Sequence, residues 1–175
     1  MKIFLETDRL ILRELLATDD EGMFELDSDK DVHKYLGNQP FTKIEDSREI
    51  IHFIRKQYQD NGIGRWAMIN KGTGEFMGWS GFKLMKDITN DHVNYYDLGY
   101  RLIKRFWGKG YATESAKASV SYGFNELKLN EIFAMADIHN KESRHVLEKS
   151  GFKFIEPFDF RGDLHDWFKI SKQST

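Results

Sequence analysis

Gly108 and Gly110, separated by one lysine, are the residues whose spacing points most directly to chemistry. They stand in Arg101-Leu102-Ile103-Lys104-Arg105-Phe106-Trp107-Gly108-Lys109-Gly110-Tyr111-Ala112-Thr113-Glu114, where a strand pattern passes through two glycines straight into a helix pattern. Glycine adopts backbone conformations that other residues resist, and it leaves main-chain amides free to approach a ligand. The first helical turn adds unpaired N–H groups and a partial positive charge, both suited to a pyrophosphate. Lys104, Arg105 and Lys109 add cations around the same turn. A Walker loop is excluded, because Gly110 rather than Ser or Thr follows Lys109. A dinucleotide fingerprint is excluded too, because Thr113 occupies the place of its third glycine and no βαβ unit precedes it. The plain alternative is a tight strand–helix turn with no ligand.

Other chemistries fall away on residue type. There is no cysteine, so thiol catalysis, thiolate metal sites and disulfides are excluded. The histidines at 33, 52, 92, 139, 145 and 165 show no i, i+4 pair for zinc, and no metal is expected. Gly78-Trp79-Ser80-Gly81 is one residue short of a nucleophile elbow. Trp66, Trp79, Trp107 and Trp167 read as packing residues. With 26 basic and 28 acidic side chains the formal charge is −2, which gives no general electrostatic footprint for nucleic acid or an anionic membrane. The three-residue apolar run before Glu6 is too short for a signal peptide, and no run approaches a membrane span. The expectation is one cytoplasmic domain over residues 1–175, monomeric or homodimeric.

The elements that would position the glycine turn follow from periodicity. Arg9–Leu15 reads as the opening strand. Thr18 with Glu21, and Thr42 with Glu45, fit capping boxes that start helices. The first helix runs to about Leu26, and the second presents Ile50, Ile51, Ile54 and Tyr58 on one face. Arg65–Asn70 and Glu75–Leu84 flank the turn Lys71-Gly72-Thr73-Gly74 as a hairpin. A polar loop, Lys86–Asp91, leads to a fourth strand from about Val93 to Ile103. After the glycines a helix runs from Tyr111 to Glu126, with Ala112, Ala116 and Val120 as a small-residue face. Then come a fifth strand, Glu131–Asp137, a helix, Lys141–Lys149, stopped by Gly151, and closing strands Phe152–Phe160 and Leu164–Ser171. The fold class is α+β with a mixed sheet.

The same segments carry a family resemblance. Arg105-Phe106-Trp107-Gly108-Lys109-Gly110-Tyr111-Ala112 resembles the Arg/Gln-x-x-Gly-x-Gly/Ala signature of the GNAT N-acetyltransferases, which cradles the pyrophosphate of acetyl-CoA. Leu5-Glu6-Thr7-Asp8-Arg9-Leu10-Ile11-Leu12-Arg13 resembles the opening of the RimJ/RimL-type branch, which acetylates protein N-termini. Asp97-Leu98-Gly99-Tyr100 resembles that branch's acidic-x-Gly-Tyr strand. Asn140 with Ser143, followed by Glu148-Lys149-Ser150-Gly151-Phe152, resembles its late helix. The four motifs occur in the family's order between residues 5 and 152.

The resemblance implies a largely antiparallel sheet splayed between its fourth and fifth strands, with the pantetheine arm in the gap. Backbone groups near Leu102 and Ile103 would pair with pantetheine. Arg105, Gly108, Lys109 and Gly110, with Tyr111, Ala112 and Thr113 opening the helix, would take the pyrophosphate, and Asn140 and Ser143 would contact the cosubstrate from the far side. Acetyl transfer to an amine needs a neutral amine, a donor for the oxyanion and a proton for the leaving thiolate. The family's usual tyrosine acid stands seven residues after the Asn. That position is Leu147 here, and Ser143 is the residue the RimL-like branch would use instead. Asp97, Glu114 and Asp159 are the candidate bases, each with a structural alternative as an ion-paired, helix-dipole or surface carboxylate. The expected acceptors are a protein N-terminus or a small amine such as a polyamine or aminoglycoside, chosen by loops around 27–42, 86–92 and 156–164. Because no base stands out, amines of low pKa are expected to be preferred. The rival reading is a catalytically silent acyl-CoA-binding or sensor domain.

Overall fold

Eight strands form one mixed sheet in the computed structural model, which describes residues 1–173. They are β1 (Ile3–Glu6), β2 (Leu10–Arg13), β3 (Arg65–Asn70), β4 (Phe76–Met85), β5 (Tyr95–Leu102), β6 (Glu131–Asp137), β7 (Lys153–Phe160) and β8 (Asp163–Ser171). Their spatial order is β1-β2-β3-β4-β5-β6-β8-β7. Every pairing is antiparallel except β5 with β6. The helices are α1 (Asp20–Ser28), α2 (Lys30–His33), α3 (Ile44–Asn61), α4 (Tyr111–Asn125) and α5 (Lys141–Lys149).

The α+β mixed sheet is as expected, and the strand that expectation numbered fourth is β5. The shift comes from β1, which folds back on β2 ahead of the opening strand and was not anticipated. β2 itself is shorter than Arg9–Leu15, because Leu15 and Leu16 leave the sheet to enter a 3-10 turn at Ala17–Asp19. Neither capping box forms. The Asp19 carboxylate, held by Arg13 at 2.8 Å, accepts the Leu16 N–H at 2.7 Å and starts the turn two residues ahead of Thr18, and the Glu21 N–H that a Thr18 cap would need meets Asp20 Oδ1 at 3.1 Å. At α3 the N-cap is Lys43, with no side-chain cap. Ile51 and Ile54 are buried as the helical period requires, whereas Ile50 stays 36% exposed. Val93 also lies outside its strand: Asn94 turns the chain through φ 54° and β5 begins at Tyr95.

Trp66, Phe82, Phe168, Leu10, Leu12, Met68 and Ile132 are fully buried around the sheet. Each such side chain contributes about 1.5–3 kcal/mol by leaving water. α4 lies on the Trp66–Phe82 face, where the Tyr122 ring meets Trp66 edge-on at 5.1 Å and Gly123 packs on Phe82 and Ile132. α1 and α3 cover the opposite face, on which Trp79, Lys83, Asp97 and Arg101 project. β5 pairs with β4 along its whole length, from Gly78–Leu102 to Met85–Tyr95. Towards β6 the registered pair is Asp97 with Phe133, and beyond it the two strands part. No helix among the described residues is long and apolar enough to cross a membrane.

Candidate active site

The glycine turn has the backbone its sequence demands. Gly108 and Gly110 have φ of 70° and 82°, the left-handed region that side chains avoid. Gly110 is the N-cap of α4 and supplies no side-chain cap, and the first intrahelical bond runs from the Glu114 N–H to the Gly110 carbonyl. The N–H groups of Tyr111, Ala112 and Thr113 therefore lie ahead of the helical ladder. Among the described residues nothing stands within 4 Å of the space a Gly108 Cβ would fill. An uncapped fifteen-residue helix, two left-handed glycines and an open approach fit a pyrophosphate, and the parted β5 and β6 fit an extended arm. When bound, acetyl-CoA would supply an acetyl group activated as a thioester.

The cations around the turn are not equally available. Arg105 is tied to Glu25 and, at 2.5 Å, to Glu75, and Lys104 is tied to Asp31. Lys109 has no carboxylate within ion-pair distance among the described residues. On β5's flank, the Ile103 N–H donates to the Met77 carbonyl, and the Ile103 carbonyl accepts the Phe106 N–H, each at 2.9 Å. The Leu102 carbonyl accepts the Trp107 indole N–H at 2.8 Å, so Trp107, 44% exposed, braces the turn rather than the core.

Thr7 and Arg9 belong to this site, although they lie about a hundred residues away in sequence. The Thr7 hydroxyl donates to Glu114 at 2.6 Å, the Arg9 guanidinium grips the same carboxylate at 2.6–2.7 Å, and its Nη1 donates to the Lys109 carbonyl at 3.0 Å. Burial is the largest single influence on the Glu114 carboxyl and pushes its pKa up, but these bonds and the Arg9 charge together outweigh it and hold the group below its ordinary range. Glu114 thus fastens β1–β2 to the cradle and is not free to act as a base. Gly110→Val should be strained at its φ and crowd Arg9, whose Nη2 is already 3.4 Å from the new Cβ position. The expected loss is at least about tenfold in CoA affinity, measured by calorimetry on a variant shown to be folded, and unchanged affinity would refute the cradle.

Asp97 occupies the last paired position before β5 and β6 separate. It is buried, its Oδ2 accepts from Arg65 Nη2 at 2.5 Å, and its Oδ1 has no partner among the described residues. Burial pushes its pKa up, with Arg65 acting against it. Arg65 also donates to the Gly81 and Asp97 carbonyls, and Gly99 leaves the room its guanidinium needs. Arg65 and Arg101 both lie against the Trp79 ring, 5.2 and 5.0 Å from its centroid. Arg101 pairs with the buried Asp27 at 2.5 Å, which also meets His33 Nε2 at 3.1 Å.

Ser143 sits on the other side of the sheet. Its Oγ is 3.1 Å from the Tyr100 hydroxyl, which donates to the Ser143 carbonyl at 2.9 Å. Burial pushes the Tyr100 phenol strongly up. Asn140 caps α5 by accepting the Ser143 N–H at 3.1 Å, and Leu147 is buried.

Asp159 stands at the end of β7, exposed, its Oδ1 accepting the Gly162 N–H at 3.1 Å. It borders a hollow of about 530 Å³ between the end of α3, the end of β4 with its following loop, and the β7–β8 turn. Lys83, which lines this hollow, is the cross-strand partner of Asp97. Residues 86–90 and 159–161 line it, whereas residues 27–42 do not.

This arrangement agrees with the sequence comparison: residues 9–153 match the acetyltransferase (GNAT) domain. The chain belongs to the GNAT family. It is an acetyl-CoA-dependent N-acetyltransferase. A GNAT relative in Bacillus licheniformis, the uncharacterised N-acetyltransferase p20, is 33% identical over 149 residues, covering 85% of this chain and 82% of that protein. The solved GNAT acetyltransferase of Bacillus anthracis superposes with a TM-score of 0.80 at 28% identity, over 98% of both chains. Spermidine N-acetyltransferase from Vibrio cholerae, solved with CoA and spermine, shares the GNAT fold at a TM-score of 0.74 and 19% identity, over 94% of this chain and 96% of that one.

Sequence reasoning missed Arg9, Arg65 and Lys83 as members of this site. Arg9 lies in the opening Leu5–Arg13 segment, whose sequence gives it no sign of a partner, and no local signal marks Arg65 or Lys83, since their neighbours are set by strand register.

Proposed function

We propose that this GNAT enzyme passes the acetyl group directly from acetyl-CoA to a primary amine of low pKa, such as a peptide N-terminus, in one ternary complex. The observation that carries this reading is Asp97: a buried carboxylate at the point where β5 and β6 part, with Oδ1 unpartnered and its proton affinity raised. Asp97 takes the ammonium proton of the acceptor. Arg65 on the other oxygen limits how strong that base becomes, which suits an amine already partly neutral. An α-amine with a pKa of roughly 7.7–8.0 is about a quarter neutral near pH 7.4, whereas a lysine-type amine near 10.4 is only about 0.1% neutral. Asp159 is a carboxylate on the rim over which the amine enters. The α4 N-terminus and Lys109 hold the pyrophosphate, and Ser143 Oγ, hydrogen-bonded to Tyr100, gives a proton to the departing thiolate.

Thiol release should show kcat/KM for a peptide with a free N-terminus exceeding that of an N-blocked lysine peptide and of spermidine by about tenfold or more near pH 7.4. A tenfold advantage for lysine or spermidine would overturn the low-pKa reading. Absence of turnover with every amine, alongside intact CoA binding, would favour a silent binding domain. Ser143→Ala should lower kcat by roughly 10²-fold with a smaller change in acetyl-CoA binding, and an unchanged kcat would leave Ser143 as a helix residue alone.

A further inference from the structure

The hollow at the end of α3 carries a charge pattern that acetyl transfer itself does not require. Lys83, Lys86 and Arg161 line it, and among the described residues none has a carboxylate within ion-pair distance. Of the three acids lining it, Asp60 is bound to Lys56 at 2.8 Å, Asp159 accepts the Gly162 N–H, and neither Asp159 nor Asp87 has an ion pair among the described residues. Asp97, across the strand pair from Lys83, holds Arg65 through Oδ2 and turns Oδ1 to the acceptor amine of the proposed transfer. Two lining carboxamides, Gln57 and Asn61, each have a buried oxygen with no hydrogen-bond partner among the described residues, and Gln57 is only 8% exposed. Buried acceptors of this kind cost free energy unless a donor reaches them. The three cations are matched in number by the three acids, but none of them is ion-paired, so the wall offers cations that an anion can reach and orphan acceptors for N–H groups.

We infer that this hollow binds the carboxylate of the acceptor at Lys83, with Arg161 beside it, so that the acceptor is an α-amine with a carboxylate a few ångströms away. A peptide beginning with Asp or Glu has that chemistry with the low amine pKa proposed above, and a free α-amino acid has it with an amine whose pKa its own carboxylate raises. The inference rests on the hollow being the acceptor side of the transfer centre. Cross-strand neighbours have Cβ atoms about 5 Å apart, so an anion held by Lys83 lies within one small molecule's length of the Asp97 region. Burial, with Arg65 and Arg161 nearby, lowers the Lys83 pKa, and a bound carboxylate would relieve that cost. A polyamine would set a second cation against Lys83, which has no ion-paired carboxylate of its own among the described residues.

The test measures kcat/KM in a thiol-release assay for two matched pairs, with each rate referred to the neutral amine. One pair is a tripeptide amide beginning with Asp against the same peptide beginning with Asn. The other is free alanine against alaninamide, and the pair that discriminates identifies the source of the carboxylate. In at least one pair the anionic member should win by about tenfold or more, the range of a charge-assisted hydrogen bond. Lys83→Met should bring that ratio to within about threefold of one, and raised salt should shrink it in the wild type. Arg161→Gln, at an exposed turn, should reduce the ratio as well and carries the test if Lys83→Met fails to fold. Neutral members matching the anionic ones in both pairs, a ratio that survives both substitutions, or spermidine outrunning all four acceptors by tenfold would overturn the anion site. Those outcomes would leave the transfer centre standing. A wild-type enzyme that turns over spermidine but none of the four probes overturns the anion site too, and one that turns over no amine at all overturns the acceptor reading with it.

Discussion

Asp97→Asn is expected to lower kcat by about 10²–10⁴-fold while acetyl-CoA affinity stays within about threefold. The substitution is nearly isosteric, yet it removes the acceptor charge at the position where β5 leaves β6. The pH profile provides a second readout. A base works in its deprotonated form, so the wild-type rate should rise as pH climbs through the raised Asp97 pKa and fall away below it. The Asp97→Asn variant should lose that acid limb. The stability effect has the opposite sign. A carboxyl that binds its proton more tightly folded than unfolded favours the native state below the unfolded value of 3.8 and loses that contribution as pH rises through the folded pKa. Thermal melts of both proteins across that window would show whether the substitution leaves Arg65 unable to settle, since an unpaired buried guanidinium is costly. A folded Asp97→Asn enzyme with wild-type kcat would reduce Asp97 to a structural partner of Arg65 and turn attention to Asp159.

Gly78→Val should be the most damaging single change to the fold. Gly78 lies opposite Leu102 in the β4–β5 pair with φ of 141°, and a Cβ there would sit 2.0 Å from the Arg101 carbonyl oxygen and 2.9 Å from the Leu102 Cα. Both obstacles are backbone, so no side-chain rotation relieves them. Strain at that φ and forced separation of the strands together should cost at least about 3 kcal/mol, or about 6–12 °C in Tm for a chain of this size. The displaced strand is also the one that leads into the cradle, so any folded remnant should bind CoA poorly. Gly162→Ala provides the contrast: φ is 91° but nothing stands within 4 Å, so only the conformational cost remains. A Tm for Gly78→Val within about 2 °C of wild type would show that β4 and β5 are not held this closely.

The cradle was legible in the sequence because its cause is local. Two glycines at a strand–helix junction fall in the left-handed region, and an uncapped helix start follows directly, all within a few residues. The same holds for Ile51 and Ile54 in α3, for the Arg65–Asn70 strand, and for the Gly151 stop after α5. The helix starts were less legible. Thr18 matched a capping pattern, but Asp19, charged and gripped by Arg13, accepts the Leu16 N–H and opens the turn two residues ahead of Thr18. The competition was settled by a residue six positions earlier.

What the sequence alone determined, then, was the mixed α+β fold and the glycine turn of the GNAT family, and it offered Asp97, Glu114, Ser143 and Asp159 as candidates for the chemistry. The tertiary structure decided how they differ. Strand register put Arg65 on Asp97 and Lys83 beside it, sheet sidedness sent Ser143 to Tyr100 on the far face, and the β7–β8 turn carried Asp159 to the rim of the hollow. The clamp of Thr7 and Arg9 on Glu114 likewise spans more than a hundred residues. Backbone preferences are encoded within a turn or two of chain. Which side chains meet across strands and layers depends on register and on the packing of whole elements, and a linear pattern does not contain either.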